Sequence, residues 1–221
     1  MASCDMTNEN KSILIIGTIR SGTSTLATAF QRGANMIKHS EPWNRWLRPD
    51  SVYPSNYKFE DNSIVKVLIH DNPDGLDFSF KNNNIVHMLN FYENLIKQFD
   101  TVILLGRLNM EETLISYTYQ LTEDMKDINR PTEYWQTPYT VSDTKKLPLD
   151  TYRDSIIEYN NLLKELSLHL DNPIVWYEDL YSGDISKVTK ILNDWNNPIE
   201  LDTLSEYVNP TLRLKKEKST I

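Results

Sequence analysis

Cysteine, positive charge and long apolar runs are what this sequence has least of. One cysteine, Cys4, occurs in 221 residues. No disulfide can form within the chain, which fits a reducing cytoplasm. Lys and Arg number 23 against 31 Asp and Glu, a formal net charge of −8. A broad nucleic-acid or anionic-membrane face needs a basic excess, so neither is expected as a partner. A small anion is a different matter, because a handful of local donors can hold one on an acidic protein. No stretch approaches the roughly 18 apolar residues of a membrane span. Residues 1–11 are too polar for a secretory signal and read as a flexible leader.

What is there is globular. Hydrophobic residues make up 39% and charged residues 24%, and the length suits a single domain over 12–221. Ile13-Leu14-Ile15-Ile16 before Gly17 reads as a strand buried on both faces, as in a parallel sheet. Thr23 to Arg32 reads as a helix stopped by Gly33. An irregular stretch, Ser40 to Tyr57, carries Pro and Trp. Val65 to Ile69 is a second strand, and Asn72 to Gly75 marks a turn. Met88, Tyr92, Leu95 and Phe99 give Ile85 to Phe99 an apolar stripe at helical spacing.

Thr101 to Gly106 is a third strand, followed by a helix from Met110 to Leu121. Thr122 to Leu149 has no period and reads as a lid or insertion. Asp150 caps a long helix striped by Tyr152, Ile156, Tyr159, Leu163, Leu166 and Leu170. Asp171-Asn172-Pro173 ends that helix. Ile174 to Tyr177 is a fourth strand, and Ile185 to Trp195 a last helix. The alternation predicts an α/β fold in three layers, α/β/α, around a central parallel sheet. Ligands of such sheets bind beyond the carboxyl ends of the strands.

The residues after the first strand are Gly17-Thr18-Ile19-Arg20-Ser21-Gly22-Thr23-Ser24-Thr25. A glycine-bounded loop between strand and helix aims backbone N–H groups inward as an anion nest, and the helix dipole adds positive charge there. The Gly17 to Gly22 spacing is that of the P-loop, G-x-x-x-x-G-K-[ST]. The lysine that reaches the terminal phosphates of ATP or GTP is missing, with Thr23 in its place. Arg20 is the only cation of the loop.

Arg20-Ser21-Gly22-Thr23-Ser24 after a buried strand resembles the 5′-phosphosulfate loop of sulfotransferases, which use 3′-phosphoadenosine 5′-phosphosulfate (PAPS) and have a P-loop-like fold. Gly17, Arg20, Ser21, Gly22, Thr23, Ser24 and Leu26 match the family pattern G-x-P-[RK]-S-G-T-[ST]-x-L, and Ile19 replaces its proline. The family's 3′-phosphate site is an arginine at a strand end and a serine on the next helix. Arg107 and Ser116 resemble that pair, with a spacing one residue longer than usual. Tyr177-Glu178-Asp179-Leu180 resembles a further family run and reads as structural. The basic tail, Arg213, Lys215, Lys216 and Lys218, is either a cofactor loop or a solvated face.

The resemblance implies a sulfotransferase moving a sulfuryl group from PAPS to a hydroxyl or amine of a small-molecule or carbohydrate acceptor. Gly17, Arg20, Ser21, Gly22, Thr23, Ser24, Thr25, Arg107 and Ser116 would bind the cofactor. Arg20 would also stabilise charge on the leaving group. Three residues are candidates for the base that deprotonates the acceptor: Glu41 in His39-Ser40-Glu41-Pro42-Trp43, His70 after the second strand, and His39. Trp43 and Trp46 could stack on an acceptor. No metal is implied, because no His, Cys and Asp cluster has ligand spacing. Two other readings remain open: a P-loop nucleotide kinase, which the missing lysine disfavours, and a non-catalytic nucleotide-binding module.

Overall fold

The computed structural model describes residues 12–43, 53–54, 56–70, 85–122, 149–182, 184, 186 and 190. Within them lie five strands: β1 (Ile13–Gly17), β2 (Ile37–Ser40), β3 (Ser63–Leu68), β4 (Thr101–Gly106) and β5 (Ile174–Trp176). Five helices accompany them: α1 (Thr23–Gly33), α2 (Ile85–Ile96), α3 (Met110–Thr122), α4 (Asp150–Leu170) and the short α5 (Tyr177–Leu180).

All strands are parallel, in the order β2-β3-β1-β4-β5. Every residue of β1 is buried, as an aliphatic run must be when helices cover both faces. Successive strand residues point to opposite faces, so alternate residues of one strand feed two cores. Ile13, Ile15, Ile64 and Ile103 pack with Leu26, Ala27 and Phe30 of α1 and with Leu180 of α5. Leu14, Ile16, Val65 and Val67 pack on the other side with Met88 and Tyr92 of α2 and Leu162 and Leu166 of α4. The architecture is the expected three-layer α/β/α.

The strand order also places the site. From β1 the chain runs out to the edge at β2, returns through β3, and then crosses to β4 on the far side of β1. The direction of winding reverses at β1, and such a reversal opens a crevice beyond the carboxyl ends of the strands.

Several boundaries differ from the sequence reading. β2 has no counterpart in it, because an edge strand reading Ile37-Lys38-His39-Ser40 is half polar and partly exposed. β3 begins two residues before Val65, at Ser63. β5 stops at Trp176, and Tyr177 opens α5. Asp150 is not the N-cap of α4. Leu149 holds that position, and Asp150 sits in the first turn, where its carboxylate accepts from Arg153 at 3.4 Å. The far end behaves as expected: Asp171 takes φ 49° and its N–H closes on Leu168. Of the lid candidate Thr122 to Leu149, Thr122 closes α3 and Leu149 caps α4; its remainder, the leader, Trp46, the basic tail and most of the last helix lie outside the described residues. No helix among the described residues is long and apolar enough to cross a membrane.

Candidate functional site

The loop from β1 to α1 is fixed by backbone bonds where it leaves the sheet. Thr18 N–H donates to Leu105 at 3.1 Å, and the Gly17 carbonyl accepts from Ile69 at 2.9 Å. Ser21 N–H and Oγ both donate to the Thr18 carbonyl, at 3.3 and 2.7 Å. Both glycines are needed. A Cβ on Gly17 would stand 2.3 Å from Thr23 Cγ2. Gly22 has φ +85°, and a Cβ there would meet the Tyr181 ring at 2.7 Å. Thr18 Oγ1 is 1% exposed at the residue level and has no hydrogen-bond partner among the described residues. A buried hydroxyl without a partner, beside a glycine-bounded turn, is a polar group that a ligand oxygen would satisfy.

The second landmark comes to the first. Arg20 Nε donates to Ser116 Oγ at 2.7 Å, joining residues 96 positions apart. Arg107 Nη1 donates to the Arg20 carbonyl at 3.2 Å. Ser116 accepts the bond from Arg20, which leaves its own O–H as a donor. Arg107 is held on several sides. Its Nη2 donates to Glu112 at 2.8 Å, its Nε lies 3.9 Å from Glu178, and its guanidinium stacks 4.5 Å over the Tyr177 ring. The sequence reading saw Arg107 as a phosphate ligand and missed that two carboxylates share its charge.

Helix α5 ties the two loops together. Glu178 accepts from the N–H groups of Leu108 and Asn109, both at 3.0 Å, which shapes the turn after β4. Tyr181 donates from its phenol to the Gly22 carbonyl at 2.9 Å. Tyr177 stacks on Tyr181 with ring centroids 4.5 Å apart. Burial pushes the Tyr181 phenol well above its ordinary range, so it remains a donor. The Tyr-Glu-Asp-Leu run is thus structural, as its sequence suggested.

Glu41 follows β2 and Lys66 lies within β3. The Lys66 ammonium bonds Glu41 Oε1 as a buried ion pair, the side chains 4% and 12% exposed. Glu41 N–H also donates to the Lys66 carbonyl at 2.7 Å. Lys66 was missed from sequence because its partner is 25 residues away. His70 lies flat on Tyr159 of α4, 4.3 Å between centroids. Burial, helped by the nearby Lys66 charge, lowers its pKa to about 4. The imidazole is therefore neutral, with one face covered by the tyrosine ring. His39 packs edge-on to Phe59, with Nδ1 3.3 Å from the Tyr53 hydroxyl. Trp43 is buried against Phe59 and Phe91, so it builds this aromatic cluster rather than an open stacking surface.

Backbone strain singles out two of these residues. The described non-glycine residues with positive φ are Arg20, Asn35, Glu41, Asn62 and Asp171. Asn and Asp tolerate that region. Arg20 (φ 60°) and Glu41 (φ 47°) do not, and each costs roughly 1–2 kcal/mol there. Strain of this kind concentrates where geometry matters for function. Ser24 and Thr25, also expected at the cofactor, occupy the first turn of α1, next to the nest. Among the described residues no group of three or more His, Cys, Asp and Glu could hold a metal ion. Neither a scan against protein-family models nor a search of curated proteins returns a match for this chain.

Proposed function

We propose that this protein is a PAPS-dependent sulfotransferase, transferring the sulfuryl group to a hydroxyl or amine of a small-molecule or carbohydrate acceptor. The observation that carries the reading is the contact of Arg20 with Ser116, braced by Arg107 on the Arg20 carbonyl. Two anion loops, separated in sequence and each resembling one phosphate site of the same nucleotide, meet at one end of the sheet. The orphan Thr18 hydroxyl and the glycine-dependent nest fit a tetrahedral oxyanion.

The roles follow from position. The loop N–H groups not given to Leu105 and Thr18, the Thr18 hydroxyl and the hydroxyls of Thr23 and Ser24 hold the 5′-phosphosulfate end, while Ser21 and Thr25, whose hydroxyls bond the Thr18 carbonyl and Tyr181, shape the loop. Ser116 and Arg107 hold the 3′-phosphate, with Glu112 in competition for Arg107. Bound PAPS supplies the sulfuryl group and departs as adenosine 3′,5′-bisphosphate. Arg20 stabilises the negative charge that builds on the leaving phosphate oxygen. Glu41 accepts the acceptor proton as the acceptor oxygen or nitrogen attacks in line. Glu41 lies past the end of β2, two strands from β1, or about 10 Å at ordinary strand spacing, room for a transferred group between base and loop. His70 stays neutral and packs. Thr23 in place of the Walker lysine stands against a nucleotide kinase.

The test is turnover of sulfur-labelled PAPS with a panel of hydroxylated and amino acceptors. Transfer is expected for at least one acceptor class. Glu41→Ala should slow it about 100-fold or more while leaving adenosine 3′,5′-bisphosphate binding intact. Nucleotide binding without transfer to any acceptor would instead indicate a non-catalytic module.

A further inference from the structure

Lys66 stands out in its strand. Its neighbours Ile64, Val65 and Val67 are fully buried aliphatics, and parity with Ile64 turns it to the α1 side, the side of the anion nest. A buried ion pair in such a place is weak evidence of stabilisation, since an apolar pair of similar volume commonly serves as well or better. The geometry here does something more specific than pair two charges. Lys66 holds Glu41 at two points: its carbonyl takes the Glu41 N–H at 2.7 Å, and its ammonium takes the carboxylate. The residue so held has a strained backbone, φ 47°.

Resting on the sulfotransferase reading above, we propose that Lys66 is the positioning residue of the reaction, fixing the Glu41 carboxylate in the orientation from which it takes the acceptor proton. Lys66 itself touches neither nucleotide nor acceptor. Its effect on the reaction passes wholly through Glu41. Its charge is also felt at His70, where it adds to burial in keeping the imidazole neutral.

The experiment compares K66M, K66Q, E41Q and the double variant E41Q/K66M with the wild type, each checked for folding by circular dichroism. K66M should lower kcat about 100-fold, the size of a misplaced general base, with acceptor KM and adenosine 3′,5′-bisphosphate affinity within about twofold. K66Q keeps a hydrogen-bond donor without the charge. It should lose about tenfold in kcat, and it carries the test if K66M does not fold. E41Q/K66M should be no slower than E41Q, since a residue that acts only through Glu41 has nothing left to orient. Unchanged kcat in K66M or K66Q would overturn the proposal and make the pair purely structural. A double variant markedly slower than E41Q would overturn it too, by showing that Lys66 acts on the reacting atoms directly. A wild type inactive with every acceptor would instead sink the sulfotransferase reading, and the proposal with it.

Discussion

The phenol of Tyr181 donates to the carbonyl of Gly22 at 2.9 Å, across 159 residues of chain. That carbonyl is also the acceptor for Leu26 N–H at 3.1 Å, the bond that opens α1. One tyrosine near the end of the described chain therefore steadies the turn in which the loop after β1 becomes a helix. Tyr181→Phe keeps the ring and its stack on Tyr177 but loses the bond. It should cost about 1 kcal/mol of stability and weaken adenosine 3′,5′-bisphosphate binding severalfold. Urea unfolding and calorimetry measure both, and unchanged nucleotide affinity would show that the bond serves stability alone.

Gly22→Ala asks more of the same contact. The new methyl meets Tyr181 at 2.7 Å on a backbone at φ +85°. The backbone strain alone is about 1–2 kcal/mol, and the ring must move as well. A lower urea midpoint and loss of nucleotide binding are expected. Wild-type values for both would mean that the loop does not need its left-handed turn.

What the sequence made legible is the part of the site written in consecutive residues. Four aliphatics, a glycine and a hydroxyl-rich loop announce β1, the nest and α1, because burial and chain reversal act locally. Arg107 and Ser116 were legible as residue types at a strand end and on the following helix. Their joint contact with Arg20 was not, since nothing in local pattern says that two loops converge. Lys66 was illegible for the same reason. A lysine in an apolar strand looks like an interruption until its carboxylate arrives from another strand. The edge strand β2 escaped because exposure lets its side chains be polar, and Asp150 misled because an acid in the first turn of a helix resembles one at its cap.

Arg107 is shared between Glu112 and Glu178. If the 3′-phosphate draws on Arg107, removing the nearer competitor should help. Glu112→Gln is expected to tighten adenosine 3′,5′-bisphosphate roughly threefold, the scale of a partly exposed ion pair, with no gain for adenosine 5′-monophosphate. Equal gains for the two nucleotides would show that Arg107 acts only as a brace on the Arg20 carbonyl.

His70 gives a pH signature. Its pKa is about 4 in the folded protein and about 6.5 when unfolded. Between those values the unfolded chain binds the extra proton, so stability rises with pH. The stability is fully present above about pH 6.5 and is lost as pH falls toward 4, up to about 3 kcal/mol. His70→Phe, which keeps a ring on Tyr159, should flatten this window relative to wild type. Urea midpoints across the window decide it, and parallel curves for the two proteins would contradict a neutral buried imidazole.

On the proposed reading the loop after β1 holds a phosphosulfate nucleotide rather than a nucleoside triphosphate, with Arg20 as the cation of the loop and Thr23 where a Walker lysine would stand. Titration calorimetry of the full chain with adenosine 3′,5′-bisphosphate and, separately, with ATP and magnesium tests it most directly. The bisphosphate is expected to bind with a Kd on the order of micromolar, weakened at least tenfold by Arg20→Ala, with no comparable binding of ATP with magnesium. Binding of ATP with magnesium alone would contradict it.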